Sequence, residues 1–142
     1  MKTLTMLARS AALVALVTAP VATLNAAPPA AKPVTVGIDG PEYDACGSQG
    51  EVRGLREEGD MFLSVRSAPG VSSPETDKLR NGQVVILCDS TKDGKWAGVV
   101  YPAAGQSVST CGTSSPVTRK TAYSGPCRSG WVASTYVAVT AG

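Results

Sequence analysis

The sequence predicts an all-β fold, a small barrel or sandwich built from short strands. Apolar and polar residues alternate in several short runs, which is the period of a half-buried strand. Glycine, proline, asparagine and aspartate separate these runs at close, regular spacing. Beyond the N-terminal leader, no run long enough for a helix shows helical periodicity. These three observations together favour strands throughout the domain.

The first 26 residues have the layout of a secretory signal peptide. Lys2 and Arg9 form a positive start, and an apolar run over residues 11–24 is followed by small residues. That run is shorter than the roughly 20 residues that a transmembrane helix needs. We therefore expect residues 1–26 to be cleaved during export, which leaves a periplasmic or secreted protein that is not inserted in a membrane.

Residues 27–45 predict an extended linker between the leader and the domain. They are rich in proline, alanine and glycine and poor in aromatic residues. This composition is typical of a connecting segment without a core of its own. The domain itself is then expected to cover residues 46–142.

Five strands are predicted, and most of them are separated by strong turn signals. Residues 61–66 alternate apolar and polar, as a half-buried strand does. The pair Asn81-Gly82 opens the third strand, and Asp93-Gly94 predicts a tight hairpin between the third and the fourth. The predicted strands cover residues 51–55, 61–66, 82–90, 95–101 and 131–139.

Residues 102–129 form a long insertion between the last two predicted strands. The segment is rich in serine, threonine, glycine and proline, and it is too long for a hairpin turn. Loops of this length in small domains are usually functional or disordered, and this one would present Arg119, Lys120 and Tyr123 at its tip. The alternative is a tolerated insertion that has no task of its own.

Four cysteines in a chain bound for an oxidising compartment predict two disulfides. A zinc site is the alternative, but the closest pair is spaced far more widely than the C-x2-C pairs of zinc ligands. Among the possible pairings we favour Cys46 with Cys88 and Cys111 with Cys127. The second pair would hold the insertion in a defined place.

The charge balance and the absence of histidine exclude several classes of function. The chain has 13 basic and 11 acidic residues, and the leader carries Lys2 and Arg9, so the exported part is neutral. Nucleic acids and charge-held membrane surfaces need a clustered positive excess, so we expect neither as a partner. Without histidine, Ser-His-Asp and Cys-His nucleophiles and histidine-ligated zinc are impossible.

Carboxylates are the remaining candidates for catalysis. Glu57, Glu58 and Asp60 cluster in R-E-E-G-D, and Asp89 and Asp93 flank a predicted hairpin. A glycosidase needs two such groups across a cleft, whereas acids clustered in a turn are mostly solvated. The sequence has no phosphate-binding or calcium-binding motif and no C-x-x-C. We therefore expect no catalytic residues, no cofactor and no metal.

Four motifs resemble the bacterial Src homology 3 family in order and spacing. They are L-S-V-R-S-A-P-G, D-K-L-R-N-G-Q-V-V-I-L, D-G-K-W-A-G-V-V-Y and S-G-W-V-A-S-T-Y-V. The resemblance implies a five-stranded, partly open SH3-like barrel that serves as a binding module. Many members of the family hold cell-wall hydrolases on peptidoglycan or on its cross-bridge peptides. This chain departs from the family pattern at residues 102–129, where the family normally has a tight turn.

The same resemblance implies a shallow groove between the loop after the V-R-S strand, residues 67–78 here, and the hairpin at Asp93-Gly94. Arg66 would sit at the mouth of that loop. Its guanidinium would either brace loop carbonyls or a carboxylate such as Asp77, or contact the ligand.

Aromatic residues are the other candidates for this groove. Trp96, Tyr101 and Tyr136 would either line it or pack in the interior, whereas Trp131 is expected to pack in the core. Eukaryotic Src homology 3 domains carry a proline at the position of Ala133, and that proline helps to grip polyproline helices. Its replacement argues against the usual proline-rich ligands.

Two hypotheses on function follow. The first is an exported, non-catalytic binding module of this family that recognises peptidoglycan or a cell-envelope peptide. The second is a small disulfide-stapled protein that binds or inhibits another exported protein through residues 102–129.

Overall fold

The structure is a computed structural model that describes residues 26–142. The predicted signal peptide covers residues 1–26, and all of these except residue 26 lie outside the described residues. The described chain contains strands and two short 3-10 helices but no α-helix, which confirms the all-β prediction. No helix in this part of the chain is long and apolar enough to cross a membrane.

The strands and 3-10 helices are short, and loops connect them. The strands are β1 (Thr35–Val36), β2 (Ser48–Val52), β3 (Leu63–Arg66), β4 (Glu75–Leu79), β5 (Val84–Ser90), β6 (Trp96–Tyr101), β7 (Thr121–Ala122), β8 (Arg128–Ala133) and β9 (Val137–Ala141). The 3-10 helices are Val108–Cys111 and Ser134–Tyr136.

Seven strands form one antiparallel sheet in the order β4-β3-β8-β6-β5-β2-β9, and β1 pairs with β7 in a separate two-stranded sheet. Residues 84–87 of β5 pair with β2, and residues 86–90 pair with β6, so the middle of β5 pairs on both sides. A register shift between Leu87 and Asp89 breaks the regular ladder between β5 and β6, as at a β-bulge, where strands bend. The sheet therefore curls into a partly open barrel with β4 and β9 at its edges.

The predicted strands are present, but several of their bounds are shifted. The strand predicted over residues 51–55 is β2 (Ser48–Val52), so residues 53–55 lie in a loop, and the strand predicted over residues 61–66 begins at Leu63. Two further differences concern the last predicted strand and β4. Residues 131–139 are not one strand, because the 3-10 helix Ser134–Tyr136 divides them between β8 and β9. The sequence does not predict β4, because Glu75–Leu79 is mostly charged and exposed and only Leu79 is buried. Such a segment becomes a strand only through its pairing with β3.

One face of the sheet holds the first hydrophobic core. Leu63 and Val65 both point into it, as their alternation predicts, and Val99 and Val132 are fully buried there. Because neighbouring residues of a strand point to opposite faces, Val100 lies on the other side of the sheet. The members of the first core are Val52, Leu63, Val65, Leu79, Val85, Ala97, Val99, Tyr101 and Val132.

The opposite face carries a second core, which the sequence does not predict. Trp131 is fully buried there, which confirms that it packs in the interior. The N-terminal segment covers this face together with the insertion, and the pairing of β1 with β7 joins the two. The members of the second core are Val34, Val36, Ala45, Cys46, Ile86, Cys88, Val100, Cys111 and Trp131.

Both disulfides belong to this second layer. Cys46 is bonded to Cys88 and fastens the N-terminal segment to β5. Cys111 is bonded to Cys127 and closes the insertion. This is the pairing that the sequence favours, and since all four cysteines are bonded, the zinc alternative is wrong.

The predicted linker over residues 27–45 is a linker only in its first, exposed part. Val34 and Val36 are buried in the second core. The backbone N–H of Thr35 donates a hydrogen bond to Oδ2 of Asp89 at 3.1 Å, which holds β1 against β5. Two valines separated by one residue are too short a run for periodicity to distinguish from a linker, and only the sheet face opposite explains their burial.

Candidate functional site

A groove of about 530 Å³ lies beside β3, where the loop between β2 and β3 approaches the start of β6. We call residues 53–62 the groove loop. The groove is also lined by β3 itself and by the 3-10 helix Ser134–Tyr136. Its apolar and aromatic lining includes Leu55, Met61, Phe62, Val71, Trp96 and Tyr136.

Trp96 is held in the groove by a tight hairpin. It is the first residue of β6 and pairs with Ala133 of β8. Its backbone N–H donates to the Thr91 hydroxyl at 3.1 Å, while Oδ1 of Asp93 accepts from that hydroxyl at 2.6 Å and from the Lys95 N–H at 3.1 Å. The hydrogen bond from the Thr91 hydroxyl, followed by the one from the Lys95 N–H, holds the pKa of Asp93 below its usual value. The predicted Asp93 hairpin is thus confirmed, and it fixes the position of the tryptophan.

The groove loop is fastened at its N-terminal end. Oδ1 of Asn81 accepts from the Leu55 N–H at 3.1 Å, and Nδ2 of Asn81 donates to the Leu55 carbonyl at 2.9 Å. The Arg53 N–H donates to the Tyr136 carbonyl at 2.9 Å, which joins the loop to the 3-10 helix. Met61 has a φ of 53°, the one positive value outside glycine in the described chain. Backbone strain of this kind concentrates at binding sites.

Tyr136 reaches the groove from the 3-10 helix that separates β8 from β9. Its side chain is partly exposed, and it shares the groove lining with Trp96 and Arg66. The structure therefore brings together three of the four residues that the sequence singles out for the groove. Their role in binding stays a prediction.

Arg66 braces a loop and also reaches the groove. Its Nη1 donates to the Ser73 carbonyl at 2.7 Å, so the expected brace to a loop carbonyl is present. The same half-buried side chain lines the groove. Asp77 is not its ion-pair partner, because Nη1 of Arg128 lies 2.8 Å from Oδ2 of Asp77.

Tyr101 does not line the groove and packs in the first core, where it is 4% exposed. Its hydroxyl donates to Oδ2 of Asp77 at 3.0 Å. Burial, together with this hydrogen bond, raises the pKa of Tyr101. Tyr101 is an odd number of positions from Trp96 on the same strand, so the two side chains point to opposite faces.

The three predicted tip residues of the insertion do not form one exposed patch. Arg119 and Lys120 are exposed. The Tyr123 side chain turns inward, where its hydroxyl donates to the Cys111 carbonyl at 2.8 Å and accepts from the Cys127 N–H at 3.0 Å. Tyr123 therefore supports the disulfide-closed loop from within.

Sequence reasoning misses the contribution of the groove loop. It places one wall in residues 67–78, but from that range only Val71 lines the groove, whereas Leu55, Met61 and Phe62 come from the groove loop. The available signal is the apolar pair Met61-Phe62, which directly follows a charged turn. An apolar pair at that point marks the return of the chain to the sheet.

The charged groups of the groove are few. Asp60 is the one carboxylate among the lining residues, and Arg56 and Arg66 are the two cations. Hydrolysis of glycosides generally uses two carboxyl groups across a cleft. Within residues 26–142, no group of three or more metal-ligating side chains is placed to hold an ion. The groove thus combines aromatic surface with a small number of charges.

Comparisons with known proteins found no relative of this chain, so the groove is the main evidence on function. No protein-family model matches the chain, and searches of curated proteins and of solved structures found no significant match. The resemblance to the bacterial Src homology 3 family therefore rests on the four sequence motifs.

Proposed function

We propose that this protein is an exported, non-catalytic binding module of the bacterial Src homology 3 type, whose groove holds a cell-envelope peptide. Peptidoglycan is the ligand that we favour. The observation that carries the proposal is the groove itself, in which Trp96 and Tyr136 present aromatic surface beside the apolar residues of the groove loop. Aromatic side chains of this kind are frequent hot spots, because they offer a large contact area and lose little entropy on binding.

The rigidity of the groove supports binding. Trp96 is held by the Asp93 hairpin and the start of the groove loop by Asn81, so part of each wall is fixed before a ligand arrives. A preformed site loses less conformational entropy when the ligand binds.

Two features support export. The disulfides Cys46–Cys88 and Cys111–Cys127 are typical of proteins from oxidising compartments. The leader pattern over residues 1–26 supplies the route. An exported binding module would meet peptidoglycan directly.

A sedimentation assay with insoluble peptidoglycan tests this function. The purified chain with both disulfides formed should be retained in the pellet at moderate salt. Trp96→Ala should reduce the affinity about tenfold or more, as hot-spot aromatic residues do. Tyr43→Ala is the matched control, because Tyr43 is 63% exposed and lies outside the groove. No retention of the unmodified chain above a control protein would reject the proposal.

A second candidate is the binding or inhibition of another exported protein through residues 102–129. The observation that favours it is that Arg119 and Lys120 lie exposed on a loop held by a disulfide. The double variant Arg119→Glu, Lys120→Glu would abolish such an interaction and leave peptidoglycan binding unchanged. The reverse result would assign peptidoglycan binding to the insertion.

A further inference from the structure

Arg66 has hydrogen-bonding capacity that the fold does not use. We propose that the groove binds its peptide through a carboxylate of the ligand, which is received by the Arg66 guanidinium. This inference rests on the proposed function and names the chemistry of the ligand at that site.

The geometry leaves most of the guanidinium available. It carries five N–H donors, and one of them is used by the Ser73 carbonyl at 2.7 Å. Within residues 26–142, Arg66 takes part in no ion pair. Its side chain is half-buried, so the bond to Ser73 holds the guanidinium in place at the groove wall. A fixed guanidinium with free donors is suited to bidentate recognition of a carboxylate.

The nearby carboxylates have other partners. Glu75 is opposite Arg66 in the β3–β4 ladder, but its carboxylate accepts from the Ser64 hydroxyl and lies 3.5 Å from Nζ of Lys78. The Ser64 hydrogen bond is the main reason that the pKa of Glu75 is low, and Arg66 is the weakest of the contributors. The guanidinium therefore faces the groove without an acidic partner from its own strand pair.

The charges of the lining place the carboxylate at one end of the groove. Asp60 lies in the groove loop ahead of β3, whereas Arg66 is the last residue of that strand. An anionic group would be repelled near Asp60 and attracted near the two cations. Of these, Arg56 is exposed and lies in the same loop as Asp60, whereas Arg66 is half-buried and held by the Ser73 carbonyl. Stem peptides of peptidoglycan offer free carboxylates, and these become neutral when they are amidated.

The experiment compares two forms of the same ligand. Insoluble peptidoglycan is either left untreated or converted to neutral amides with a carbodiimide and methylamine. We expect the unmodified chain to bind the amidated form about tenfold or more weakly, because charge-assisted hydrogen bonds are lost. We expect Arg66→Gln to bind untreated peptidoglycan with a similar loss and to be insensitive to amidation.

Controls separate the role of Arg66 from folding and from general charge. Arg80→Gln removes an exposed arginine outside the groove and should bind as the unmodified chain does. Arg66→Lys keeps a cation and should recover part of the affinity. The comparison of untreated with amidated peptidoglycan uses the unmodified chain. It therefore tests the role of the ligand carboxylate even if Arg66→Gln folds poorly.

Each of the remaining outcomes of the experiment would reject one part of the proposal. Equal binding of the unmodified chain to both forms would reject the carboxylate and leave the proposed function standing. A full amidation effect that persists in folded Arg66→Gln would move the carboxylate to another cation and reject Arg66. Binding to neither form would reject the proposed function itself.

Discussion

Side chains of one strand can serve the groove on one face of the sheet and a hydrophobic core on the other. Trp96 and Tyr101 belong to the same strand, yet one lines the groove and the other is buried in the first core. Between them, Gly98 allows the N-terminal segment to approach the sheet closely. A Cβ at this position would lie 2.7 Å from Cβ of Asp89 and 3.2 Å from Cγ1 of Val34. The second core therefore requires a residue without a side chain here.

Asp77 is a second residue whose neighbours determine its behaviour. Burial alone would raise its pKa, but hydrogen bonds from Arg128, from the Lys78 N–H and from Tyr101 outweigh burial and leave the pKa of Asp77 below its usual value. Because this pKa is lower in the folded than in the unfolded chain, the ionised carboxylate stabilises the fold at neutral pH. That contribution declines as the pH falls below about 4 and is lost below the folded-state pKa.

We therefore expect Asp77→Asn to lower the free energy of unfolding by about 1 kcal/mol at pH 7, a modest value because the pair with Arg128 is partly exposed. The difference from the unmodified chain should shrink as the pH falls below about 4. Urea unfolding over this pH range measures it. Asp39→Asn, at an exposed site, should change little at any pH. A loss for Asp77→Asn that is independent of pH would contradict the assignment.

At the scale of elements, the short strands depend on their neighbours. β7 has two residues, both exposed, and it exists because it pairs with β1 across the second core. The hairpin between β5 and β6 is different, since Asp93-Gly94 encodes its turn locally. Local turn chemistry is visible in the sequence, whereas pairing between distant short segments is not.

The disulfide Cys111–Cys127 is the element that closes the insertion. On the chain-entropy account a loop of this length contributes about 3 kcal/mol, and the longer Cys46–Cys88 loop about 4 kcal/mol. We expect the double variant Cys111→Ser, Cys127→Ser to lower the free energy of unfolding by about 3 kcal/mol, measured by urea unfolding.

Peptidoglycan binding by the same double variant should be unchanged while it is folded, because no residue of the insertion lines the groove. Binding is measured under conditions in which the urea unfolding curve shows that the variant is folded. A folded double variant that no longer binds peptidoglycan would show that the insertion takes part in peptidoglycan binding and would contradict its assignment to the groove alone.

At the scale of the whole molecule, one sheet separates two cores. The first core lies inside the partly open barrel, and the second lies under the N-terminal segment and the insertion. Val99 and Val100, neighbours in β6, belong to different cores, so loss of that strand would open both. The two layers are thus coupled through the sheet that they share.

This coupling predicts one cooperative unfolding transition. In a Trp96→Phe background, Trp131 is the one remaining tryptophan and reports on the second core, while far-ultraviolet circular dichroism reports on the strands. Both signals should give the same urea midpoint when the disulfides are intact. A fluorescence transition well ahead of the dichroism would show that the second layer unfolds independently.

The approximate positions of several strands, the turns and the use of cysteine follow from local patterns. Alternation identifies β3 and the faces of Leu63 and Val65, and turn signals identify the Asp93 hairpin. The groove is only partly predictable. Trp96 is found from its motif, but the groove loop is not, because the sequence pattern assigns Leu55 and the pair Met61-Phe62 to strands, whereas in the structure they lie in the loop between β2 and β3. β4 escapes prediction because its residues are charged.

The sequence alone determines an all-β chain with two disulfides, without histidine and with no net charge beyond residue 26. Only the tertiary structure decides that residues 34–46 and the insertion cover the outer face of the sheet, and that Trp96, Tyr136 and Arg66 share one groove. The physical reason is the separation along the chain over which each kind of interaction acts. Alternation and turn chemistry act between neighbours in the chain, whereas the covering of a sheet face and the approach of two loops depend on contacts between distant segments.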